Sequence, residues 1–365
     1  MNAGMIAILL QQLPYRFSGL GILSTIAFVV ELVLFITFSL IFLLRLAWFK
    51  GQALSEVTGN VQDLSFLAAW PIAFLLLSAL VGLIVSPAYW GGQAFSVVAF
   101  VMWWIGAGWM LLTYMFIFIK MTRMQSASSE AGGRLPPLIL YPAMGVATIA
   151  TTGGLISAYS ANMSARLAVP IMIFSLLMAG LAIFTAMMLY PLLMFQFFSE
   201  GFPPAAVVPA MFVHIGPLGQ SAAALQLVGS AASTYGRFAA YGRGPFLSGM
   251  SASAFNAACV LIAFLCAGMA IMWLFLAVYV MLQRAFEKQM SWSPTWNSII
   301  FPIGTLTTAF NAFGIQLNSP TFNVLNTALV LIMVFVFFVN LAFTVLKVAK
   351  GELLIVREDP RTKQD

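Results

Sequence analysis

The chain has 365 residues, of which 62% are apolar and only 7% are charged. Its 16 basic and 10 acidic residues cannot cover the surface of a water-soluble body of this size. The composition therefore excludes a soluble protein and predicts an all-α polytopic membrane protein, embedded in a lipid bilayer.

Nine apolar runs long enough to cross about 30 Å of hydrocarbon follow one another along the chain. They cover residues 18–48, 66–86, 94–122, 138–161, 165–198, 208–233, 251–286, 296–317 and 321–348. A shorter run, residues 1–13, precedes them and would reach only about 20 Å as a helix. It lacks the basic start and cleavage site of a signal peptide, so we interpret it as a first helix whose opening half is missing. We expect ten transmembrane helices, arranged as five hairpins in a domain of residues 1–350, and a short tail of residues 351–365.

Basic residues are concentrated after the even-numbered spans. Twelve fall there: Arg45, Lys50, Lys120, Arg123, Arg134, Arg284, Lys288, Lys347, Lys350, Arg357, Arg361 and Lys363. The opposite side receives Arg16, Arg166, Arg237 and Arg243. Because basic loops remain in the cytoplasm, this bias predicts that both termini are cytoplasmic. The basic residues report topology and do not indicate a nucleic-acid partner.

A proline followed by small residues recurs early in the third, fifth, seventh and ninth spans. The copies are Trp70-Pro71-Ile72-Ala73, Tyr141-Pro142-Ala143-Met144-Gly145, Gly216-Pro217-Leu218-Gly219 and Phe301-Pro302-Ile303-Gly304. The even spans lack this pattern and carry bulkier side chains. Proline and glycine are tolerated in lipid where the freed backbone is buried in protein or lines a cavity. The repeat therefore predicts odd-numbered helices around a central pore and even-numbered helices outside them.

The chain offers few groups for catalysis or for metal binding. Its single histidine, His214, and its two cysteines, Cys259 and Cys266, do not form a zinc-binding pattern, and no nucleotide-binding glycine motif occurs. An intramembrane enzyme would need paired acids, a Ser/His dyad or a metal set. We therefore expect no enzymatic activity, no cofactor and no metal.

Two ionisable side chains, Glu31 and His214, lie inside the apolar spans. Because a buried charge in lipid is costly, each is a candidate for proton transfer or pH sensing. A structural role stays open for both. Glu31 could be protonated or bonded to a neighbouring helix, and His214 could be bonded to a neighbouring carbonyl group.

Two motifs carry the most specific signal, Gly216-Pro217-Leu218-Gly219-Gln220 and Phe301-Pro302-Ile303-Gly304-Thr305. They supply small residues, an amide and a hydroxyl, which replace part of an ion's hydration without a full charge. Small-residue helix packing is the alternative. In a pore, Phe301 would be the bulky group that blocks the path by occlusion.

At these residues the chain resembles the tellurite-resistance/dicarboxylate transporter family, which includes plant slow anion channels, the yeast malate permease and the fungal sulfite efflux pumps. The resemblance covers nearly the whole chain and is strongest to the sulfite pumps. It also rests on Leu13-Pro14-Tyr15 and on Trp103-Trp104. Asn297, where a tryptophan is common, departs from the family pattern, as do Glu31, His214 and the shortened first helix.

The resemblance implies a homotrimer with one pore per protomer and Phe301 as the plug of that pore. The candidate anion path comprises Gly4, Pro71, Pro142, Gly145, Thr148, Gly216, Pro217, Gly219, Gln220, Pro302, Gly304 and Thr305. The cost of dehydration grows with the square of the charge, and no Arg or Lys lies along this path to offset it for a dianion. A monovalent anion such as hydrogensulfite is therefore favoured. The membrane potential, worth about 2.3 kcal/mol per charge per 100 mV, drives it outward.

The sequence thus predicts a fungal-type plasma-membrane channel or uniporter that exports sulfite. A carrier of malate or related C4-dicarboxylates, coupled to protons through His214 or Glu31, is the first alternative. A truncated paralogue that folds but does not conduct is the second.

Overall fold

The computed structural model describes residues 1–123 and 135–353. Arg134, Arg357, Arg361, Lys363 and most of the predicted tail of residues 351–365 lie outside the described residues. Over the described ranges the secondary structure is helical, and the single β-bridge joins Arg243 to Leu247.

Twelve α-helices follow one another in the described ranges. They are α1 (Asn2–Gln11), α2 (Leu20–Val57), α3 (Val61–Phe66), α4 (Ala69–Leu80), α5 (Gly92–Arg123), α6 (Tyr141–Tyr159), α7 (Ala165–Glu200), α8 (Gly216–Ser233), α9 (Arg237–Tyr241), α10 (Gly249–Phe286), α11 (Ile300–Gln316) and α12 (Pro320–Ala349). A π-turn, Val81–Val85, extends α4, and 3₁₀ turns at Pro137–Leu140, Val208–Ile215 and Pro294–Ser298 lead into α6, α8 and α11.

Eight of the described helical segments are long and apolar enough to cross a membrane. Together with the apolar composition, they confirm the prediction of an all-α multi-pass membrane protein. The predicted first and seventh spans correspond to α1 and α8, which are not among these eight segments. Helix α1 has 10 residues, and Gln220 and Gln226 reduce the apolar character of α8. The count of ten crossings and the pairing into five hairpins stay predictions.

The predicted second span ends too early. It was placed at 18–48, whereas α2 continues to Val57 after a non-helical residue at Lys50. The added residues are polar but compatible with a helix, and an ion pair between Arg45 and Glu56 holds them to the preceding turns. The predicted third span, 66–86, corresponds to α4 and its π-turn, and the short helix α3 precedes it. The Asn60 side chain caps α3 by accepting from the Asp63 N–H at 2.7 Å.

Burial separates the helices into two sets. We call α1, α4, α6, α8 and α11 the inner helices and α2, α5, α7, α10 and α12 the outer helices. All of α6 except Tyr159 is buried, and α11 is buried from Ile300 to Gly314. In α12, by contrast, the buried residues are Asn326, Val330, Met333 and Asn340, which form one narrow stripe. The two sets agree with the predicted odd and even spans.

Side-chain size explains this sorting. The inner helices α6 and α8 are rich in Gly, Ala, Ser and Thr, whereas the outer helices carry Phe, Leu, Met and Trp. In lipid there is no hydrophobic drive between helices, so close van der Waals packing of small residues holds them together. The inner positions therefore go to helices whose backbones can approach closely.

Candidate functional site

The five inner helices form a closed ring. Each packs against two others, in the order α1, α4, α6, α8, α11 and back to α1. The predicted anion-path residues lie on these helices. The ring is therefore the candidate functional site.

Residue contacts show that neighbouring ring helices run in the same direction. Between α6 and α8, a Cβ added to Gly216 would overlap Met144, and one added to Gly154 would lie 2.8 Å from Leu227 Cβ. The numbers of the contacting residues thus increase along both helices together. Three further seams show the same order, and together they make all five inner helices parallel. The contacts are Gly219 with Thr305 and Gln226 with Ala309, Asn2 with Asn297 and Met5 with Gly304, and Ile72 with Gly145 and Ile156 with Gly82.

The parallel order places the amino-terminal ends of the inner helices on one side of the ring. The four repeated prolines stand in the first turn of their helices, at the second or third residue. A first-turn proline forfeits no internal hydrogen bond, so the predicted break takes the form of a junction between a turn and an α-helix. The dipole of each α-helix places about half a positive charge at its amino end. The Glu31 carboxylate already accepts from the Gly4 N–H at the α1 end, so the ends of the other four inner helices are the ones that favour an anion on this side.

The two hydroxyl groups among the predicted path residues donate to their own helices. Thr148 Oγ1 donates to the Met144 carbonyl at 2.9 Å, and Thr305 Oγ1 donates to the Pro302 carbonyl at 2.7 Å. Each hydroxyl proton is engaged in one of these bonds, whereas the oxygen lone pairs can still accept a hydrogen bond. In this arrangement neither hydroxyl is free to donate to an anion.

Gln220 carries the one incompletely bonded amide among the predicted path residues. Its Nε2 lies 3.4 Å from Thr148 Oγ1, its Oε1 has no hydrogen-bond partner, and its side chain is buried. The Thr151 hydroxyl donates to its backbone carbonyl at 2.8 Å and fixes this turn of α8 against α6. Rotating the amide by 180° would turn its N–H groups toward the side that now holds Oε1.

The predicted path glycines are points of close helix contact. A Cβ on Gly219 would lie 2.7 Å from Thr305 Oγ1 and 3.1 Å from Leu306 N. Similar additions would overlap other side chains: Gly145 with Met110, Gly216 with Met144 and Gly304 with Met5. Gly216, Gly219 and Gly304 therefore set the spacing between ring helices, whereas Gly145 sets the spacing to the outer helix α5.

Phe301 is buried completely at the start of α11, directly before Pro302. Thr305, one turn later, is also fully buried. Side chains thus fill this part of the bundle. The gating role of Phe301 stays a prediction.

Glu31 joins the outer helix α2 to α1. Its carboxylate accepts from the Gly4 N–H at 3.0 Å and contacts the amino group of Met1. A Cβ on Gly4 would lie 3.1 Å from Glu31 Cγ, so only a glycine fits here without displacement. Gly4 is a predicted residue of the anion path, but its close contact is with the outer helix α2. The bonded alternative for Glu31 matches this geometry.

His214 lies in the 3₁₀ turn that leads into α8 and is fully buried. Its Nδ1 is 2.7 Å from the Met211 carbonyl oxygen, and its ring stacks on Trp273 of α10 with centroids 4.6 Å apart. The Tyr190 hydroxyl donates to the His214 carbonyl at 2.6 Å. Pro217, three residues later, has no N–H for that carbonyl, and Tyr190 replaces it.

Sequence reasoning missed Trp273 and Tyr190, which lie on outer helices. The available signal was tryptophan within apolar spans, because a buried indole N–H normally bonds to an acceptor, although Trp273 Nε1 has none. Trp103 follows this rule: its Nε1 donates to the Ile149 carbonyl at 3.1 Å and to Thr152 Oγ1 at 3.2 Å. This bond, from α5 to α6, gives a structural reason for one of the two motif tryptophans.

At the opposite end of the ring, Arg237 of α9 holds the end of α6. It donates to the Ser157 carbonyl at 3.0 Å and to the Met163 carbonyl. Cys259 and Cys266 are unpaired and buried on α10. Within the described ranges, no three His, Cys, Asp or Glu side chains come together as metal ligands.

The profile of the SLAC1 family, described as voltage-dependent anion channel, matches residues 1–345. The chain belongs to this family. The SLAC1 family comprises anion channels and transporters, so the ring of inner helices is part of a membrane transport protein.

Several relatives share most of the chain. It is 26% identical over 354 residues to the sulfite efflux pump SSU1 of Trichophyton rubrum, covering 97% of this chain and 90% of the pump. It is 27% identical, with the same coverage, to the sulfite efflux pump SSU1 of Arthroderma benhamiae. It is 24% identical to the uncharacterized transporter MJ0576 of Methanocaldococcus jannaschii, over 83% of this chain and 78% of the transporter.

Proposed function

We propose that this SLAC1-family protein exports sulfite across the plasma membrane, as hydrogensulfite, through the ring of inner helices. The similarity to sulfite efflux pumps over nearly the full chain supports the choice of substrate. In this proposal both termini are cytoplasmic and three copies form a homotrimer with separate pores.

The parallel order of the inner helices is the observation that carries the proposal. It gathers the amino ends of five helices on one side, where an anion gains from the partial positive charges of the four that Glu31 does not already neutralise. Neighbouring antiparallel helices would cancel this effect. The arrangement therefore suits a negatively charged substrate.

The neutrality of the ring supports a monovalent substrate. The inner helices, within their stated bounds, contain no Asp, Glu, Lys or Arg. Hydrogensulfite has one charge to dehydrate, whereas malate in cytoplasm has two, and the cost grows with the square of the charge. Weak coordination by Gln220 and by helix ends also lets the ion leave. Phe301 then closes the path until it moves.

Side-by-side flux of labelled sulfite and labelled malate, in vesicles of defined membrane potential, tests the proposal. We expect sulfite flux well above malate flux, increasing as the potential drives anions out of the vesicle. Vesicles without the protein are the baseline, and a Gln220→Leu protein, which keeps side-chain size without the amide, should pass less sulfite than the wild type. Malate flux equal to or above sulfite flux would assign the chain to the dicarboxylate carriers. No flux of either ion through well-inserted protein would contradict transport itself.

A further inference from the structure

His214 and Trp273 form a buried pair of stacked rings beside the first turn of α8. Their centroids are 4.6 Å apart and their planes differ by 27°. Each ring has one nitrogen without a hydrogen-bond partner, His214 Nε2 and Trp273 Nε1. Two such atoms on stacked rings are unusual, because buried polar groups are normally satisfied.

The contact at Nδ1 fixes where the imidazole proton lies. The Met211 carbonyl oxygen, 2.7 Å away, can only accept, so Nδ1 carries the hydrogen and the neutral ring has a bare Nε2. Nε2 is therefore the atom that can take up a further proton. The Met211 carbonyl accepts from the Nδ1–H whether the imidazole is neutral or charged.

The groups around His214 are aromatic and uncharged near the ring. Near the membrane interior, the titratable side chains on the packed helices are Tyr190 of α7 and Cys259, Cys266 and Tyr279 of α10. The charged residues on these two helices lie at the helix ends. They are Arg166 and Glu200 at the two ends of α7 and Arg284 near the end of α10. The 3₁₀ turns Pro137–Leu140 and Pro294–Ser298 and helix α11, which also pack here, contain no titratable side chain.

We propose that His214 is a proton site coupled to the anion in the ring, an inference that rests on the proposed function. A proton from water binds Nε2 and makes a doubly protonated imidazolium, whose positive charge lies two residues before Gly216. There it adds to the partial charge of the α8 amino terminus, and the Trp273 ring face stabilises the cation. A bound anion favours the proton in return, because coupling between two sites is reciprocal.

Histidine NMR tests the proton site without any transport measurement. His214 is the single histidine of the chain, so ¹⁵N-labelled histidine and a tag free of histidine give one imidazole signal. In nanodiscs we expect the Nδ1–H tautomer in the neutral form and proton uptake at Nε2 on acidification. Sodium sulfite, compared with sodium gluconate at constant ionic strength, should raise proton affinity by about fivefold or more. An Nε2–H neutral tautomer, or no uptake of a second proton before the protein unfolds, would overturn the proposal.

Transport of labelled sulfite by wild type and by His214→Gln tests the coupling. The glutamine amide can still donate to the Met211 carbonyl. Dividing the wild-type flux by the His214→Gln flux at each pH removes the effect of substrate protonation. We expect the ratio of wild-type flux to His214→Gln flux to rise about fivefold from about pH 7 to about pH 4, because burial opposes a charged imidazole. A flat ratio overturns the coupling even if His214 titrates. Loss of sulfite flux in both proteins, with normal histidine titration, would instead count against the proposed function.

Trp273 supplies a second set of variants. Trp273→Phe keeps a stacked ring and should keep the titration of His214, whereas Trp273→Leu removes the aromatic face and should lower its proton affinity. Equal titration of both variants would contradict stabilisation by the stacked ring.

Discussion

Helices α6 and α2 lie in the same bundle and are both apolar, yet their surroundings are opposite. α6 is buried nearly all round, whereas α2 buries Leu20, Ser24, Glu31 and Ala53 out of 38 residues. The buried helix is also the less hydropathic of the two. In a membrane, therefore, small side chains and backbone bonding determine which helices lie inside, and apolar character alone does not.

The strongest test of this comparison adds volume to one helix of each kind. Gly219→Val should destabilise the protein by about 3 kcal/mol, because its Cβ would press on Thr305 and Leu306 in a packed seam. Gly180→Val on the outer helix α7 is the control, since nothing lies within 4 Å of the added Cβ. Heating followed by fluorescence-detected size exclusion measures the folded fraction. Equal losses would show that the inner seam has room to adjust.

Removing a large side chain tests whether the inner ring is a path as well as a core. Phe301→Ala should raise anion conductance per protein by about tenfold, which corresponds to a barrier lower by about 1.4 kcal/mol. Phe313→Ala is the control on the same helix: its ring is buried against Phe264, with centroids 4.2 Å apart. It should lower stability without raising conductance. Unchanged conductance in well-expressed Phe301→Ala would remove this residue from the gate.

A smaller effect is expected where an outer helix bonds to the ring. Tyr190→Phe removes the donor to the His214 carbonyl and leaves a buried acceptor unsatisfied, at a cost of about 1–3 kcal/mol. Tyr114→Phe breaks the 2.7 Å bond to Thr185 between two outer helices. Because the Thr185 hydroxyl can bond to its own helix instead, this loss should be below about 1 kcal/mol. Thermal midpoints of the two proteins measure the difference, which would vanish if another donor reached the His214 carbonyl.

Much of the fold could be predicted because it depends on local composition. Spans predicted at 165–198 and 208–233 correspond closely to α7 and to α8 with its leading turn. The repeated prolines also identified four of the five inner helices. The extension of α2 to Val57 was missed, because polar residues outside the lipid give no hydropathy signal although they continue the helix.

The candidate site was less predictable because its key contacts join distant parts of the chain. Glycine spacing indicated close packing, but Gly219 meets Thr305 and Gly4 meets Glu31 only through the tertiary arrangement. The pairing of His214 with Trp273 links a turn and an outer helix 59 positions apart in the numbering, with no shared motif.

The parallel ring also makes the two mouths of the bundle chemically different. The amino ends of the inner helices lie at one end of the bundle, and their carboxyl ends lie at the other, among them the Ser157 carbonyl that accepts from Arg237. An ion moving through such a ring meets its barriers in a different order in each direction. We therefore expect the proposed path to conduct unequally under opposite voltages of the same size, as a rectifier does, before any gate moves.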